Sequence, residues 1–344
     1  MKSIREPDAL ELDIPGEDPG ASAENRAATK FETRAPASRT VDLTFAVIVT
    51  FFPPIAFAGA LYLHFQGWYR IGFIDIALML MMWFLSVTGI EVGYHRLFSH
   101  CSYKAHPAVR RTLAALGSMG FQGPVIWWAS IHRKHHRTSD KPGDPHSMYL
   151  FGTGPWALFR GFIHSHVGWI WTGSSIRFRG LERYVSDLYR DEDIFRVHMH
   201  YFRWLAAGFI VPAIIGGVVR GSWQGAFLGF LWGGFVRVFF MNHLTYWCTN
   251  TVTHSRLGRR AYHTSDRSSN SLLLAIPTLG QTFHNNHHAF PSSAIMGHEW
   301  WQIDVGTWIL RALERLGWVW DVRVPDERMM AKKRIVERNE EHRT

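Results

Sequence analysis

Four long apolar runs, joined in pairs by very short connections, leave this chain few ways to fold. Leu43–Phe65 contains no Asp, Glu, Lys or Arg, and Ile71–Ile90 carries only Asp75. Trp204–Val219 is uncharged, and Trp223–Phe240 carries only Arg237. An α-helix needs about 20 apolar residues to cross roughly 30 Å of hydrocarbon. The first two runs meet that length; the third and fourth reach it when extended through Phe202 and through Met241–Leu244. The spans are therefore expected at about 43–65, 71–92, 203–220 and 223–245. A backbone in lipid must satisfy its own hydrogen bonds, which helices do.

The connections are Gln66–Arg70 and Arg220–Ser222. With both so short, everything else lies on one side: the N-terminal segment, residues 91–203 and residues 245–344. Apart from Arg70, Arg220 and Arg237, all 37 Lys and Arg residues fall there. The positive-inside rule assigns that side to the cytoplasm. The expected fold is an all-α integral membrane protein, with four transmembrane helices capped by a helical cytosolic domain. Residues 1–42, rich in Ala, Pro, Glu and Ser without a hydrophobic period, read as a disordered tail. Residues 43–310 form the working domain, with its cap at 93–202 and 246–310. Residues 311–344 read as a charged helical C-terminal tail. Thr112–Trp128 is apolar but broken by Gly, and reads as interfacial.

Composition narrows the function. The 16 Trp and 24 Phe suit a lipid interface. The net charge of +9 comes with no interleaved basic and aromatic ladder, so nucleic acid is not an expected partner. Cys101 and Cys248 form no spacing motif, which excludes a disulfide scaffold, a zinc ribbon and an iron–sulfur cluster.

The 20 histidines are the chemical signal. Three groups stand out: His95 with His100; His132, His135 and His136; and His284, His287 and His288. Positions i, i+3 and i+4 share one helical face, so each HxxHH run reaches one metal or bridges toward two. Asn250 and His254 are likewise four apart. His95 and His100 are five apart, do not align on an ideal α-helix, and are expected at a helix end where the chain bends. Imidazole suits iron, copper, zinc and nickel. Nine clustered histidines exceed what one ion uses, and structural zinc would recruit thiolates. Two metals follow and, beside a membrane, iron with dioxygen chemistry. A metal transporter or sensor would instead hold its ligands near the bilayer midplane. His64, His106, His198, His200, His243, His263, His298 and His342 read as surface or packing residues. His146, His164 and His166 stay open.

At these residues the sequence resembles the membrane fatty-acid desaturase family, especially its stearoyl-CoA and bacterial Δ9-type branch. The likeness spans roughly residues 45–305. It comprises the box order HxxxxH, HxxHH, NxxxH, HxxHH, the run Asp144-Pro145-His146, the run Ser165-His166-Val167-Gly168-Trp169, and the run from His284 to Pro291. The resemblance implies four spans under a cytosolic cap and a centre of two iron ions. Its ligands would be His95, His100, His132, His135, His136, His254, His284, His287 and His288, with Asn250 completing one iron through a water. It also implies O2-dependent desaturation of a long-chain fatty-acyl substrate, saturated to cis-monounsaturated at Δ9. Acyl-chain hydroxylation or decarboxylation on the same boxes is the alternative. Acyl-CoA members carry Trp-Ala-Arg-Asp before the second box. Here that stretch reads Trp128-Ala129-Ser130-Ile131, which leaves CoA, an acyl-carrier protein or a membrane lipid as the carrier.

Further expectations follow from this chemistry. No protein acid or base removes hydrogen from an unactivated CH2, so no catalytic side chain is expected beyond the ligands. With no cysteine framework or haem appendage, electrons must come from a separate donor, a ferredoxin or a cytochrome b5-like protein. Metal-bound imidazoles usually pass their second N–H to a carboxylate or carbonyl. Glu91, one turn before His95, and Asp140, Asp144 and Asp266 are the candidates. Trp127, Trp128 and Trp247 flank the boxes and are expected to line an acyl tunnel. Met79 and Trp83 share a face of the second span, with Trp83 about 18 Å before His95 at helical rise, and are expected to form its floor. Asp75 and Arg237 are ionisable residues at or near spans, both read as lying at span ends. The expected location is a bacterial plasma membrane, with both termini and the active site cytoplasmic.

Overall fold

The structure, a computed structural model, describes residues 39–172, 181–255 and 257–335. Most of the expected N-terminal tail thus lies outside the described residues, but helix already begins at Arg39, ahead of the boundary set at 42.

Among the described residues, four helices are long and apolar enough to cross a membrane: Leu43–Phe65, Phe73–Ser99, Tyr201–Arg220 and Trp223–Val252. Their outer faces carry exposed apolar side chains such as Phe51, Ile55, Leu80, Phe84, Ile214 and Val218, as a lipid-facing surface does. Two of these helices run further than expected. The second continues through a π-helical stretch, Gly89–Ser99, and the fourth through Phe230–Val236 and Phe239–Tyr246 into Trp247–Val252. The first histidine box therefore sits on a spanning helix itself, where all of Gly89–Ser99 is buried.

Both hairpin turns lie at the same end of the bundle. The fully buried Asp75 accepts from Nη1 and Nη2 of Arg220, each at 2.9 Å. Gln224 donates to the Trp68 carbonyl, and the rings of Trp68 and Trp223 are 6.1 Å apart. The connected segments after Ser99 and after Val252 emerge at the opposite end and form the cap. Arg237 does not lie at a span end. It is wholly buried and donates to Ser86 Oγ, the Met119 carbonyl and the Gly233 carbonyl at 2.7, 2.8 and 3.0 Å. A cation held among oxygens of the second span, the fourth span and the first cap turn ties the bundle to the cap.

Cap helix Pro107–Ser118 crosses the second span at Gly89, where a Cβ would collide with the backbone of Gly117. Only two glycines permit that approach. This region is therefore packed into protein, with Leu113, Ala114 and Ala115 buried, and not laid on the bilayer surface as its Gly-broken pattern suggested. Helix Val125–Thr138 joins it: Val92, Tyr94 and Phe98 share one core with Leu113, Ile126 and Ile194. The only strands among the described residues are Lys104–Ala105 and Val319–Trp320, paired antiparallel.

The domain boundary placed at 310 needs correction. It falls inside helix Val305–Arg315, whose Leu310 is fully buried. Beyond it, Val319 is buried in the small ribbon, and Lys333 Nζ donates to the Ala289 carbonyl at 2.6 Å. Residues 311–335 are docked on the cap; 336–344 lie outside the described residues.

Removing one partner of a buried ion pair strands the other charge, at a cost of about 3–5 kcal/mol. Arg220→Ala is expected to lower the unfolding free energy in detergent by an amount of that order, seen as a lower melting temperature, while leaving metal content per folded chain unchanged. An unaltered melting curve would show that Asp75 is not buried as described.

Candidate metal centre

The first box shows why its spacing looked irregular. On an α-helix, residues five apart point about 140° from one another. In the π-helical stretch the backbone closes i to i+5 instead, and the His100 N–H donates to the His95 carbonyl at 3.1 Å. The two rings come to 5.1 Å, with His100 capping the helix end where the spacing placed the box.

The second box lies on Val125–Thr138, the third on the short helix His284–Ala289, and His254 just past the fourth span. Together they form two groups. His95, His100, His132, His136 and His287 make one; His135, His254, His284 and His288 make the other. Within each, one ring nitrogen per residue lies within 4.8 Å of all the others. Each HxxHH run is therefore divided. On the second-box helix His132 and His136 turn to the first group and His135 to the second. On the third, His287 turns to the first group, and His284 and His288 to the second.

Four carboxylates set the direction of the rings. Glu91 takes His95 Nδ1 at 3.0 Å, Asp144 takes His135 Nδ1 at 2.9 Å, Asp140 takes His254 Nδ1 at 2.9 Å, and Asp266 takes His288 Nδ1 at 2.6 Å. An ionised carboxylate only accepts, so each of these Nδ1 atoms carries the proton and each Nε2 a lone pair. Those lone pairs converge. His95 Nε2 lies 3.1 Å from His287 Nε2, and His254 Nε2 lies 3.0 Å from His284 Nε2. His100 and His132 meet through Nε2 at 2.8 Å, and His136 and His287 at 2.9 Å. Nitrogens bound side by side at about 2.1 Å from one ion stand about 3 Å apart, so these spacings fit rings that share an ion. His135 Nε2 and His288 Nε2 are buried with no hydrogen-bond partner, as ligand atoms would be.

The electrostatics agree. Burial, then the neighbouring imidazoles, push His100, His132, His136, His284 and His287 well below the usual histidine range, so their rings are neutral. Burial works to raise the Asp144 and Asp266 carboxyls, but the imidazoles of His135 and His288 outweigh it and hold both below the usual carboxylate range. Four buried carboxylates beside these rings suit a site that holds cations.

One cavity abuts both groups. His132 of the first and His135 and His284 of the second reach its wall, with Asn250 and Gln281 beside them. The remaining wall is mostly apolar, including Phe45, Val49, Phe121, Ile131 and Ile170. Trp127, Trp128 and Trp247 all line it. Met79 and Trp83 do not. Met79 packs with Ala60, Leu231 and Trp232, while Trp83 packs behind the wall on the cluster containing Val49 and Phe121. The second span tilts those positions into helix packing, which spacing from His95 does not reveal.

Several site residues went unread in the sequence. Trp128 Nε1 donates to Gln122 Oε1 at 3.1 Å, and Gln122 Nε2 donates to Asn242 Oδ1 at 3.0 Å, fixing a polar relay in the apolar wall. Tyr246 OH donates to Glu91 at 3.0 Å. His146 stacks on His135 with centroids 4.3 Å apart. Only His146 lay within a marked run; the others are single polar residues without a period.

Four spans beneath a cap that gathers nine histidines into two adjoining groups define a membrane protein with a histidine-rich centre suited to metal. A family model described as fatty acid desaturase matches residues 67–322, and the chain belongs to the membrane fatty acid desaturase family. It is an oxidoreductase that desaturates fatty-acyl chains at this histidine-box site. It is 42% identical over 270 residues to a hex-5-enoyl-[acyl-carrier protein] acetylenase of Moorena producens, covering 78% of this chain and 83% of that protein. It is 31% identical to an sn-1 stearoyl-lipid 9-desaturase of Anabaena variabilis, covering 78% and 91%. It is 34% identical to an acyl-CoA 5-desaturase of Anemone leveillei, covering 70% and 69%.

Outer partners of metal-bound histidines are worth about 10–100-fold in metal affinity. Asp266→Asn is expected to weaken the four-histidine group by that factor in a chelator competition, and to leave the five-histidine group unaffected. Equal weakening of both would argue against two separate sites.

Proposed function

We propose that this enzyme uses two iron ions and O2 to place a cis double bond at Δ9 of a saturated fatty-acyl chain carried by an acyl-carrier protein or a membrane lipid. The observation that supports it most is a largely apolar cavity that touches imidazoles of both groups. Bound iron supplies the oxidising power to remove two hydrogens from unactivated CH2 groups; the protein supplies position and tuning.

The nine histidines are the proposed ligands, five for one iron and four for the other. Asn250 lies in the cavity wall beside His135 and His284 and would complete the four-histidine site through a water. Trp128 stacks on His132 with centroids 5.0 Å apart, which presents a flat apolar surface next to a ligand and keeps water away from the chain. The Gln122 relay locks that indole in place.

The carrier reading rests on Ser130 and Ile131. Both are buried: Ser130 Oγ donates to the Trp127 carbonyl, and Ile131 lines the cavity. These are the positions where the acyl-CoA branch carries Arg and Asp, so no charge awaits a CoA phosphate there. A separate ferredoxin or cytochrome b5-like donor supplies the electrons. The basic side of the spans faces the cytoplasm, and the membrane is a bacterial plasma membrane. A second reading, C5 chemistry on a short chain held by an acyl-carrier protein, is favoured by the relative that is 42% identical.

Expression in a host without unsaturated fatty acids tests the proposal. Δ9-monounsaturated products are expected, absent with His135→Ala. Unsaturation at C5 would replace the first reading with the second, and hydroxylated or shortened chains would overturn both. Because Trp83 backs the wall at Val49 and Phe121, Trp83→Ala is expected to move the product profile toward longer chains; an unchanged profile would remove Trp83 from chain-length control.

A further inference from the structure

Arg96, the residue that follows His95 in the first box, carries a role that metal ligation does not explain. Arg96 is completely buried within the π-helical stretch. Its guanidinium reaches four partners, none of them in its own helix. Nη1 donates to the Ala294 carbonyl at 2.8 Å and to Thr307 Oγ1 at 3.1 Å. Nη2 donates to the Leu279 carbonyl at 3.1 Å and to Asp304 Oδ1 at 2.7 Å.

These partners bracket the third box. Leu279 lies just before His284, and Ala294 just after His288. Asp304 extends the hold, since its other oxygen accepts the N–H groups of Met296 and Gly297 at 2.8 and 3.1 Å. Its Oδ1 also takes the Thr307 N–H, capping helix Val305–Arg315. Space is kept for the guanidinium by Gly306, where a Cβ would come within 2.6 Å of Nη2. By contrast Arg133, inside the second box, ties that box to the first through the Phe98 and Ser99 carbonyls at 2.6 and 2.9 Å.

The geometry points to Arg96, with Asp304, as a positioning pair that sets the distance between the first and third boxes and so holds the five-histidine group together. That group joins the boxes directly: His95 and His287 face each other through Nε2 at 3.1 Å. The four-histidine group takes two ligands from the third box but none from the first, so the distance between those two boxes does not enter it. A planar fork with fixed donors serves four partners at once; a lysine point charge does not. The inference rests on the reading that each histidine group holds a metal.

Arg96→Lys and Asp304→Asn are compared with the wild-type protein and with Arg220→Lys, a change at the far end of the spans. Each is purified whole in detergent, loaded with ferrous iron, and measured for iron per folded chain, Mössbauer spectrum and melting temperature. Both variants are expected to lose the iron of the five-histidine group, with affinity there reduced roughly ten-fold or more, the scale of outer partners of metal ligands. The spectrum keeps one iron environment of two, and Arg220→Lys keeps both. If Arg96→Lys does not fold, Asp304→Asn decides alone, because asparagine preserves the helix cap. Both irons retained with an unchanged spectrum, or both lost in parallel with melting temperature, would overturn the inference. Absence of iron from the wild-type protein would instead overturn the underlying two-metal reading.

Discussion

The centre depends on the bond between a buried carboxylate and the Nδ1 of a histidine. Glu91, Asp140, Asp144 and Asp266 each hold one ring, and together they turn four lone pairs inward from four separate stretches of chain. Without them a buried imidazole is free to present either nitrogen, and nine such rings would have no reason to converge. A buried carboxylate is costly unless a cation or donor answers it. Rings and carboxylates therefore satisfy each other.

The helices deliver these groups through departures from ideal winding. The π-helical turn of the second span lets His95 and His100 face the same point although they are five residues apart. The fourth span contains two π-helical stretches before it delivers Asn250 and His254 to the cap. Such stretches are rare and concentrate at functional sites. Close packing of Gly89 on Gly117, and the buried Arg237 joined to Ser86 and Met119, make spans and cap one body. The reacting cavity thus lies where membrane helices become cap helices, within reach of an acyl chain.

Much of this was legible in the sequence because it rests on local patterns. Uncharged runs gave the four spans, and the histidine spacings gave the residues that converge. The four carboxylates were legible as well, since outer partners of bound histidines are a general chemical requirement. What could not be read depends on contacts between distant stretches. The split of each HxxHH run between two groups needs the relative placement of three helices. Met79 and Trp83 had the right spacing from His95 but face helix packing instead of the cavity. The charged end of the chain looked like a tail because the partners of Leu310 and Val319 lie hundreds of residues earlier. Gln122, Asn242 and Tyr246 have no periodic signature at all.

Metal analysis of the intact protein with two single substitutions tests the central claim most directly. Iron per folded chain is measured for the wild type, for His132→Ala and for His135→Ala. The account predicts a pair of irons in the first, and loss of a different iron environment in each variant, although the two residues are neighbours on one helix. A lone zinc, or the same environment lost in both variants, would contradict it.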